Sequence, residues 1–427
     1  MLVAIAFVLS LTPGITLAGL FGFAAFAVWL IAIALDAIVG PRRAHIEVVR
    51  ILPAHFGLRR NANIGYRIVN RSALAVRVGW SEAPMRTLSF GEAEGVMRVP
   101  ARSSIEVAVP VLPIARGSDA FSTIFAWIEN DIGLLRRRVR IEAAEPIRVY
   151  PDLSAVERYG SLHARNRLIE AGLRRIRMRG VGTEFESLRE YTDGDAFRTI
   201  DWKATARRGR LMVMQREVER SQDVMMLVDC GRLMTARIDM QRKLDYAITA
   251  ALSLASIASL ASDRVGVVAF AREILVARSP RSTASSIRSL TDAICDVEPR
   301  FEESDYARAF RYVGSHLHRR SLIVLFTDVI DPVAQSLVLA ELGSLSKRHI
   351  VLCVFMNDAA VTNALAAPMR TVADRYRADV AVGLAQERTV ASRTLERYGI
   401  DVVDAPAAKL SIAAIDEYLR IKARGLL

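Results

Sequence analysis

Cysteine is scarce in this sequence, and its spacing excludes the usual cysteine chemistry. Three cysteines occur in 427 residues, and they lie far apart, at Cys230, Cys295 and Cys353. They form no CxxC motif, no zinc-type spacing with histidine and no disulfide framework. Each lies in an apolar stretch, which predicts buried free thiols in a reducing compartment.

Motifs of the common enzyme classes are missing as well. The sequence has no GxxxxGKS/T loop to hold phosphates, no GxSxG nucleophile turn and no HExxH zinc helix. Gly180 and Gly182 lack the third glycine and the preceding strand of a dinucleotide-binding loop. His316 and His318 are two residues apart, so on a helix they would point to different faces. We therefore expect a protein that is not an enzyme.

Charge is almost absent from the first 39 residues, in which Asp36 is the only charged side chain. As one helix this run would be about 58 Å long, whereas the hydrocarbon core of a membrane is about 30 Å thick. We therefore expect residues 1–40 to form a transmembrane helical hairpin, with its turn near Pro13-Gly14 or Gly19 to Gly22. A single tilted span over about Ile15–Ile38 is the alternative.

Basic residues flank this run on one side only. Arg42 and Arg43 follow the apolar segment, and no basic residue precedes it. The missing basic residues argue against a cleaved signal peptide, and the two arginines predict that the following domains face the cytoplasm. The predicted location is the cytoplasmic (inner) membrane, with the soluble domains on its cytoplasmic side.

Residues 41–150 show the two-residue period of strands, with Val76, Val78 and Trp80 at every second position. Short runs of this kind, separated by Pro, Gly, Asn and Ser, predict an antiparallel β-sandwich, which we interpret as a spacer. Its run Arg136-Arg137-Arg138 is either a contact with anionic lipid or, as we favour, a solvated strand edge that discourages aggregation.

Residues 151–220 form a charged connector, and its part from Arg158 to Arg220 carries half of the positive surplus of the chain. Between Arg158 and Arg220 there are 15 Lys and Arg against 9 Asp and Glu, while the whole chain has a net charge of +12. Clustered arginines can neutralise nucleic-acid phosphates. Acidic residues interleave with the basic ones, however, and no helix-turn-helix, zinc-finger or RNP pattern occurs, so we expect no nucleic-acid binding.

One stretch of this connector is specific enough to indicate a family. It reads Gly180-x-Gly182-x-Glu184-Phe185, Leu188-Arg189-Glu190-Tyr191, Gly194-Asp195, Arg198, Ile200-Asp201-Trp202-Lys203 and Ala206-Arg207. This ordered match resembles the signature of the domain-of-unknown-function fifty-eight family, whose members resemble von Willebrand factor A proteins and are associated with MoxR-type AAA+ ATPases. The resemblance implies that a MoxR-type AAA+ ATPase is the partner.

We expect the signature to form the binding site for that partner. The predicted binding residues are Arg189, Glu190, Tyr191, Asp193, Gly194, Asp195, Arg198, Asp201, Trp202, Lys203 and Arg207. Among them, we expect Arg198 and Asp201 to have a structural role, and Lys203 to be exposed for binding. Trp202 is either packed beneath the loop or exposed as part of a binding platform.

Residues 221–427 alternate between strands and helices, which predicts a doubly wound α/β domain with a mostly parallel sheet. Two buried strands end in carboxylates, Asp223–Asp229 and Ser321–Asp328. In such a sheet, ligands bind beyond the carboxyl ends of the strands at the point where the strand order reverses. We therefore expect Asp229 and Asp328 to flank that point.

The resemblance to von Willebrand A domains implies a metal site there, with Asp229, Ser304 and Asp328 as ligands of Mg²⁺ and Asp305 as an alternative to Ser304. Gly231 and Leu233 stand where the family has two serines. Because two oxygen ligands are thus missing, we predict weak or absent binding of divalent cations. Carboxylates that cap helices or pair with arginine are the alternative interpretation.

The leading functional hypothesis is a membrane-anchored, cytoplasm-facing adaptor or assembly protein that works with a MoxR-type AAA+ ATPase. The first alternative is a metal-assisted hydrolase that uses Asp193, Asp195 and Asp201. The second alternative is a nucleic-acid binder.

Overall fold

The computed structural model forms two compact units, which comprise residues 1–150 and 151–427. The first unit contains an apolar helix and a β-rich region, and the second contains a charged segment and an α/β region. The structure describes residues 16–39, 45–91, 94–131, 133–153, 156, 184–192, 197, 200–217, 221–281, 284–328, 336–357 and 359–424.

The apolar run contains one described helix, α1 (Thr16–Val39). Its segment Phe21–Ile38 is long and apolar enough to cross a membrane, and only 11% of that segment is buried. These bounds agree with a single span over about Ile15–Ile38. A turn at Gly19 to Gly22 is wrong, because these residues lie within one continuous helix whose apolar neighbours favour helical hydrogen bonding. A turn at Pro13-Gly14 lies outside the described residues, so a hairpin with a second span stays a prediction.

The β-rich region consists of two sheets that enclose one hydrophobic core. Their orders are β1-β3-β7-β5 and β2-β9-β8-β4-β6, and every pairing is antiparallel except that of β2 with β9. The predicted alternation is confirmed, since Val76, Val78 and Trp80 are each at most 3% exposed. The strands are β1 (Ile46–Ile51), β2 (Phe56–Gly57), β3 (Ala62–Asn70), β4 (Val76–Glu82), β5 (Leu88–Phe90), β6 (Glu94–Val99), β7 (Ser103–Pro113), β8 (Gly117–Asn130) and β9 (Arg137–Tyr150).

The charged segment of the second unit is built on a pair of antiparallel strands, β10 (Glu184–Glu190) and β11 (Met212–Glu217). A short helix, α2 (Trp202–Arg208), precedes β11. Ile200, just before this helix, forms a bridge with Val213, and both side chains are buried. The signature is therefore organised around this strand pair and about two turns of helix.

The α/β region is a six-stranded sheet with helices on both faces, as predicted. Its order is β16-β15-β12-β17-β18-β19, with β16 antiparallel at one edge and the other strands parallel. The strands are β12 (Asp223–Asp229), β15 (Arg264–Phe270), β16 (Ile274–Arg281), β17 (Leu322–Thr327), β18 (Ile350–Asn357) and β19 (Asp401–Pro406), and a small pair, β13 (Arg237–Ile238) with β14 (Gln241–Arg242), lies apart. The helices are α3 (Lys243–Leu260), α4 (Ala284–Ile294), α5 (Tyr306–His316), α6 (Ser336–Ser346), α7 (Ala359–Ala366), α8 (Val372–Arg397) and α9 (Leu410–Ala423).

The sheet order reverses between β12 and β17, because the chain leaves β12 toward one edge and returns beside it to continue toward the other. Asp229 ends β12, and Asp328 directly follows β17. The prediction that these two carboxylates flank the reversal point is confirmed. Small side chains on α3, such as Ala251 and Ala255, are buried against this sheet and allow the helix to pack closely.

Candidate functional site

Asp229 is buried and accepts hydrogen bonds from neutral donors on three sides. The backbone N–H of Gly231 donates to Oδ1 at 2.8 Å, and the Ser304 hydroxyl donates to the same oxygen. The hydroxyls of Tyr306 and Thr327 each donate to Oδ2 at 2.7 Å. Burial, followed by the charge of Asp229, raises the pKa of Tyr306 well above its usual value, so the phenol keeps its proton and remains a donor. Each oxygen of the carboxylate thus accepts two hydrogen bonds from groups of the protein.

Gly231 stands where the resemblance places a serine, and the geometry explains the difference. A Cβ atom at this position would overlap the Ser304 hydroxyl and lie 3.0 Å from the carbonyl oxygen of Glu302. Ser304 therefore fills the space that a serine side chain at position 231 would need. Asp305, the alternative to Ser304, caps the first turn of α5 by accepting from the backbone N–H of Arg308 at 2.8 Å.

Asp328 is also buried, but its partners are cations. Its Oδ2 accepts from the Lys243 ammonium at 2.5 Å, and its Oδ1 accepts from Nη2 of Arg388 at 3.0 Å. Arg388 also forms an ion pair with Asp404, with 3.0 Å between Nε and Oδ2. Burial raises the pKa of Asp404, while the charge of Arg388 acts in the opposite direction. The pairing of carboxylates with basic side chains, weighed above as an alternative, is what the structure contains at Asp328.

These contacts do not fit a divalent cation. Ser304 does lie beside Asp229 as predicted, but it donates to the carboxylate, and Lys243 and Arg388 already compensate Asp328. No group of three or more His, Cys, Asp or Glu side chains suited to a metal occurs in the part of the chain that the structure describes. A metal would have to displace the buried Lys243 and the partly buried Arg388 from Asp328, which makes binding unfavourable.

A cavity of about 530 Å³ opens at the same edge of the sheet, between α7 and α8. Its charged residues include Lys243, Asp328, Arg388 and Asp404, and apolar residues such as Leu384 complete the wall. Sequence reasoning missed this cavity and the two cations in it. The four-residue spacing from Arg388 to Ser392 and Glu396 on α8 is the one local signal, because it places these side chains on one face.

In the charged segment, α2 is fixed at both ends. Asp201 caps its start by accepting from the backbone N–H groups of Lys203 and Ala204, each at 3.0 Å. Gly209 ends it at φ = 64°, in the left-handed conformation that favours glycine. Thr205 accepts from the backbone N–H of Met212 at 3.0 Å, which ties the helix to β11. The structural role predicted for Asp201 is therefore that of a helix cap.

The large side chains of α2 are exposed to solvent. Trp202 is 66% exposed, and Phe197, which lies before the helix, is 73% exposed. Lys203, Arg207 and Arg208 are exposed as well, and no residue of α2 is buried. The interpretation that Trp202 packs beneath the loop is thus wrong. The short helix is held in place by its two end caps, and none of its residues is buried. We call Phe197, Trp202, Lys203, Arg207 and Arg208 the α2 platform.

The other predicted binding residues fall into two groups. Arg189 and Glu190 lie at the end of β10, and Glu190 forms an exposed ion pair with Arg210 at 2.7 Å. The ring of Tyr191 lies 6.0 Å from that of Phe197, between centroids. The predictions for Asp193, Gly194, Asp195 and Arg198 fall outside the described residues, and so does an ion pair between Arg198 and Asp201.

Comparison with known proteins identifies sequences and a solved structure that are similar to this chain. Uncharacterized proteins of Mycobacterium bovis and of two strains of Mycobacterium tuberculosis are 24% identical over 264 residues, which cover 58% of this chain and 82% of theirs. The solved ASH/PapD-like domain of human CEP192 covers 25% of this chain and 87% of its own, at 11% identity and a TM-score of 0.21.

Fold and site together define a protein with an apolar N-terminal helix, a β-rich region and an α/β region whose strand-end carboxylates are internally satisfied. A family model described as "Protein of unknown function DUF58" matches residues 187–365. These residues, which include the end of β10, the α2 platform and most of the sheet, carry the similarity of the chain to that family.

Proposed function

We propose that this protein is a membrane-anchored adaptor that holds a partner protein at the cytoplasmic face of the inner membrane. The α/β region would act as a von Willebrand A-like scaffold, and the α2 platform would bind the partner. A MoxR-type AAA+ ATPase is the first candidate, on the grounds of the family resemblance. The order of the sheet and the position of the two strand-end carboxylates support the comparison with von Willebrand A domains.

The exposure of Trp202 on a fixed helix carries this proposal. A large aromatic side chain that gains no burial in its own fold is available to a partner, and tryptophan and arginine are enriched among residues that dominate binding energy. The caps at Asp201 and Gly209 hold the helix in one conformation, which lowers the entropy cost of association. Lys203, Arg207 and Arg208 are exposed basic residues of the same short helix, and their positive charge favours an acidic partner surface.

The hydrolase alternative receives less support from the geometry. Asp201 is engaged with two backbone N–H groups of α2, an arrangement that stabilises a helix start and does not place a general base in a cleft. Its other predicted members, Asp193 and Asp195, lie outside the described residues. The nucleic-acid alternative rests on positive charge alone.

Membrane anchoring is tested by fractionation. We expect the full chain to sediment with membranes and residues 41–427 to remain soluble. Protease added outside intact cells should spare the chain beyond Arg42 if the soluble domains face the cytoplasm. A full-length chain that is soluble without detergent would exclude the anchor, and external cleavage would reverse its orientation.

Partner binding is tested with the full chain and a cognate MoxR-type ATPase, with and without ATP. Trp202→Ala should weaken binding by about thirtyfold, since a residue that dominates an interface contributes about 2 kcal/mol or more, and should leave the melting temperature unchanged. Phe301→Ala is the matched control, because Phe301 is an aromatic residue with 87% exposure in the same unit but outside the platform. Equal affinity for both variants would show that the platform does not bind this partner.

The variants Lys203→Ala and Asp201→Ala distinguish a role in partner binding from a role in the stability of the fold. Lys203→Ala should weaken binding without lowering stability, because the side chain is exposed. Asp201→Ala should cost about 1 kcal/mol of stability through the lost helix cap. Lys203→Ala could instead destabilise the fold as much as Asp201→Ala while partner affinity per folded molecule stays unchanged. That result would show that the segment has a structural role and does not bind the partner.

A further inference from the structure

The single charged residue of the apolar helix is joined to the β-rich region. Asp36 is 2% exposed, its Oδ1 accepts from the side-chain amide of Asn130, and its Oδ2 accepts from the backbone N–H of Leu135 at 2.8 Å. Asn130 also accepts from the backbone N–H of Gly133 at 3.0 Å and so shapes the turn between β8 and β9. A buried carboxylate near the end of an apolar helix is stable only with such partners.

The last turn of α1 contacts the same hairpin through its backbone. Arg137 donates from Nη2 to the carbonyl oxygens of Asp36 and Ala37. The final carbonyls of a helix lack partners within the helix, and a cation there is also favoured by the helix dipole. Side-chain and backbone contacts together place the tip of the β8–β9 hairpin beside the end of the apolar segment.

Two further loops lie at this end of the β-rich region. Val76 at the start of β4 pairs with Asn130 on one side and with Val99 on the other. The side-chain amide of Asn70 donates to the carbonyl oxygens of Leu74, Val99 and Pro100, at 2.8 to 3.2 Å. Residues 70–76, 98–103, 130–131 and 133–138 therefore form one surface, which we call the anchor end.

The anchor end carries apolar tips and a surplus of positive charge. Leu74 and Leu134 are 38% and 39% exposed. Three of its exposed arginines have acidic partners at 2.5 to 2.6 Å, namely Arg71 with Glu47, Arg98 with Asp131 and Arg136 with Glu129. Arg102 and Arg138 are also exposed, and no acidic side chain contacts them among the described residues.

We propose that the anchor end binds anionic lipid headgroups of the membrane that α1 enters, with Leu74 and Leu134 at the acyl boundary and Arg102 and Arg138 at the phosphates. This inference rests on the membrane anchoring proposed above. Arg138 follows Arg137, which contacts the helix end, so one strand step of about 3.3 Å separates them. The headgroup layer is about 5 to 8 Å deep on each side, which accommodates these side chains. The proposal thus takes the lipid contact, the alternative interpretation of Arg136-Arg137-Arg138, in place of the solvated strand edge.

The depth of the tips is measured with a fluorescent probe on the full chain in nanodiscs. Cys230, Cys295 and Cys353 are buried, so an introduced cysteine is labelled selectively. Leu134→Cys carries the probe at the anchor end, and Ile114→Cys is the matched control. Ile114 is an aliphatic residue with 44% exposure that follows β7, at the opposite end from residue 103.

We expect nitroxide-labelled lipids to quench the probe at position 134 at least threefold more than the probe at position 114. Equal quenching at the two positions, in a chain that still resides in the nanodisc, would overturn the lipid contact while leaving the anchor intact. A chain that does not enter nanodiscs at all would overturn the anchor itself. Melting temperatures of both labelled variants confirm that each is folded.

Headgroup charge is tested with nitroxide on an anionic or on a zwitterionic lipid. We expect stronger quenching at position 134 by the anionic lipid, and a loss of that preference in Arg102→Gln/Arg138→Gln, since each arginine near a charged membrane changes lipid affinity by about fivefold. Arg59→Gln/Arg86→Gln is the control, because it removes the same charge at the other end, and Arg59 shares the positive φ of Arg102 (59° and 52°). No preference for anionic lipid, or the same loss in both double variants, would overturn the proposal.

Discussion

Asp229 and Asp328 end neighbouring strands of one sheet, are equally buried, and are stabilised in different ways. Asp229 is surrounded by a backbone N–H and three hydroxyls, whereas Asp328 is bound by Lys243 and Arg388. Neutral donors compensate a buried carboxylate through hydrogen bonds, and cations compensate it through charge. Two neighbouring strand-end carboxylates are thus satisfied from within the protein, one by neutral donors and the other by protein cations.

The largest effect should come from removing a cation. Lys243→Met leaves the charge of Asp328 only partly compensated, and we expect a loss of about 3–5 kcal/mol in the free energy of unfolding. Denaturant unfolding of the full chain in detergent measures it. Arg242→Met is the control, because the neighbouring Arg242 has an exposed ion pair with Glu298 and should change stability by less than about 1 kcal/mol.

Removing both members of the pair sharpens this result. If charge compensation is the cause, Lys243→Met/Asp328→Asn should be more stable than Lys243→Met alone, because no buried carboxylate is then left without its ammonium. A single variant as stable as the parent chain would show that Arg388 alone compensates Asp328.

A smaller effect is expected at the neutral site. Gly231→Ser should destabilise the chain by about 1–3 kcal/mol, because the new side chain overlaps the Ser304 hydroxyl. Gly231→Ser/Ser304→Gly exchanges the two positions and should recover part of the loss. Thermal unfolding compares the stability of the two variants with that of the parent chain. A Gly231→Ser chain as stable as the parent would mean that the Ser304 side chain rotates away at no cost.

The site at Asp229 contains a phenol, that of Tyr306, and its contribution to stability should depend on pH in the alkaline range. The pKa of Tyr306 is raised in the folded state, so its contribution to stability is present below the unfolded pKa of about 10 and is lost as pH rises above it. At pH 11 the loss from this residue should approach about 1.4 kcal/mol. Tyr306→Phe should therefore show a smaller decrease in stability between pH 9 and pH 11 than the parent chain. An identical decrease in the parent chain and in Tyr306→Phe would show that Tyr306 is not the group whose titration lowers the stability.

The smallest expected effect is that of Mg²⁺. Calorimetry with the full chain should show no saturable heat at millimolar Mg²⁺, because Asp229 and Asp328 are already satisfied by the protein. Saturable binding that is lost in Asp328→Ala would prove that the cations leave Asp328 to make room for the metal.

Sequence patterns predicted the parts of this protein that depend on local periodicity. The mostly parallel sheet followed from the alternation of strands and helices, and the core positions of β4 followed from the two-residue period. The strand ends at Asp229 and Asp328 followed from apolar runs that stop at a carboxylate. The same approach did not locate the helix cap formed by Asp201, because an acidic residue among arginines suggests an ion pair as readily as a cap. Exposure of Trp202 also had to be left open, since tryptophan is usual both in cores and in interfaces.

The sequence by itself determined an apolar helix with one charge, a β-rich region, a charged signature and an alternating α/β region, because these depend on residues close together in the chain. Only the tertiary structure decided the partners of the buried charges. Lys243 and Arg388 lie 85 and 60 residues from Asp328, and Asn130 lies 94 residues from Asp36. Pairing over such separations is set by the order of strands and the packing of helices, which local periodicity does not encode.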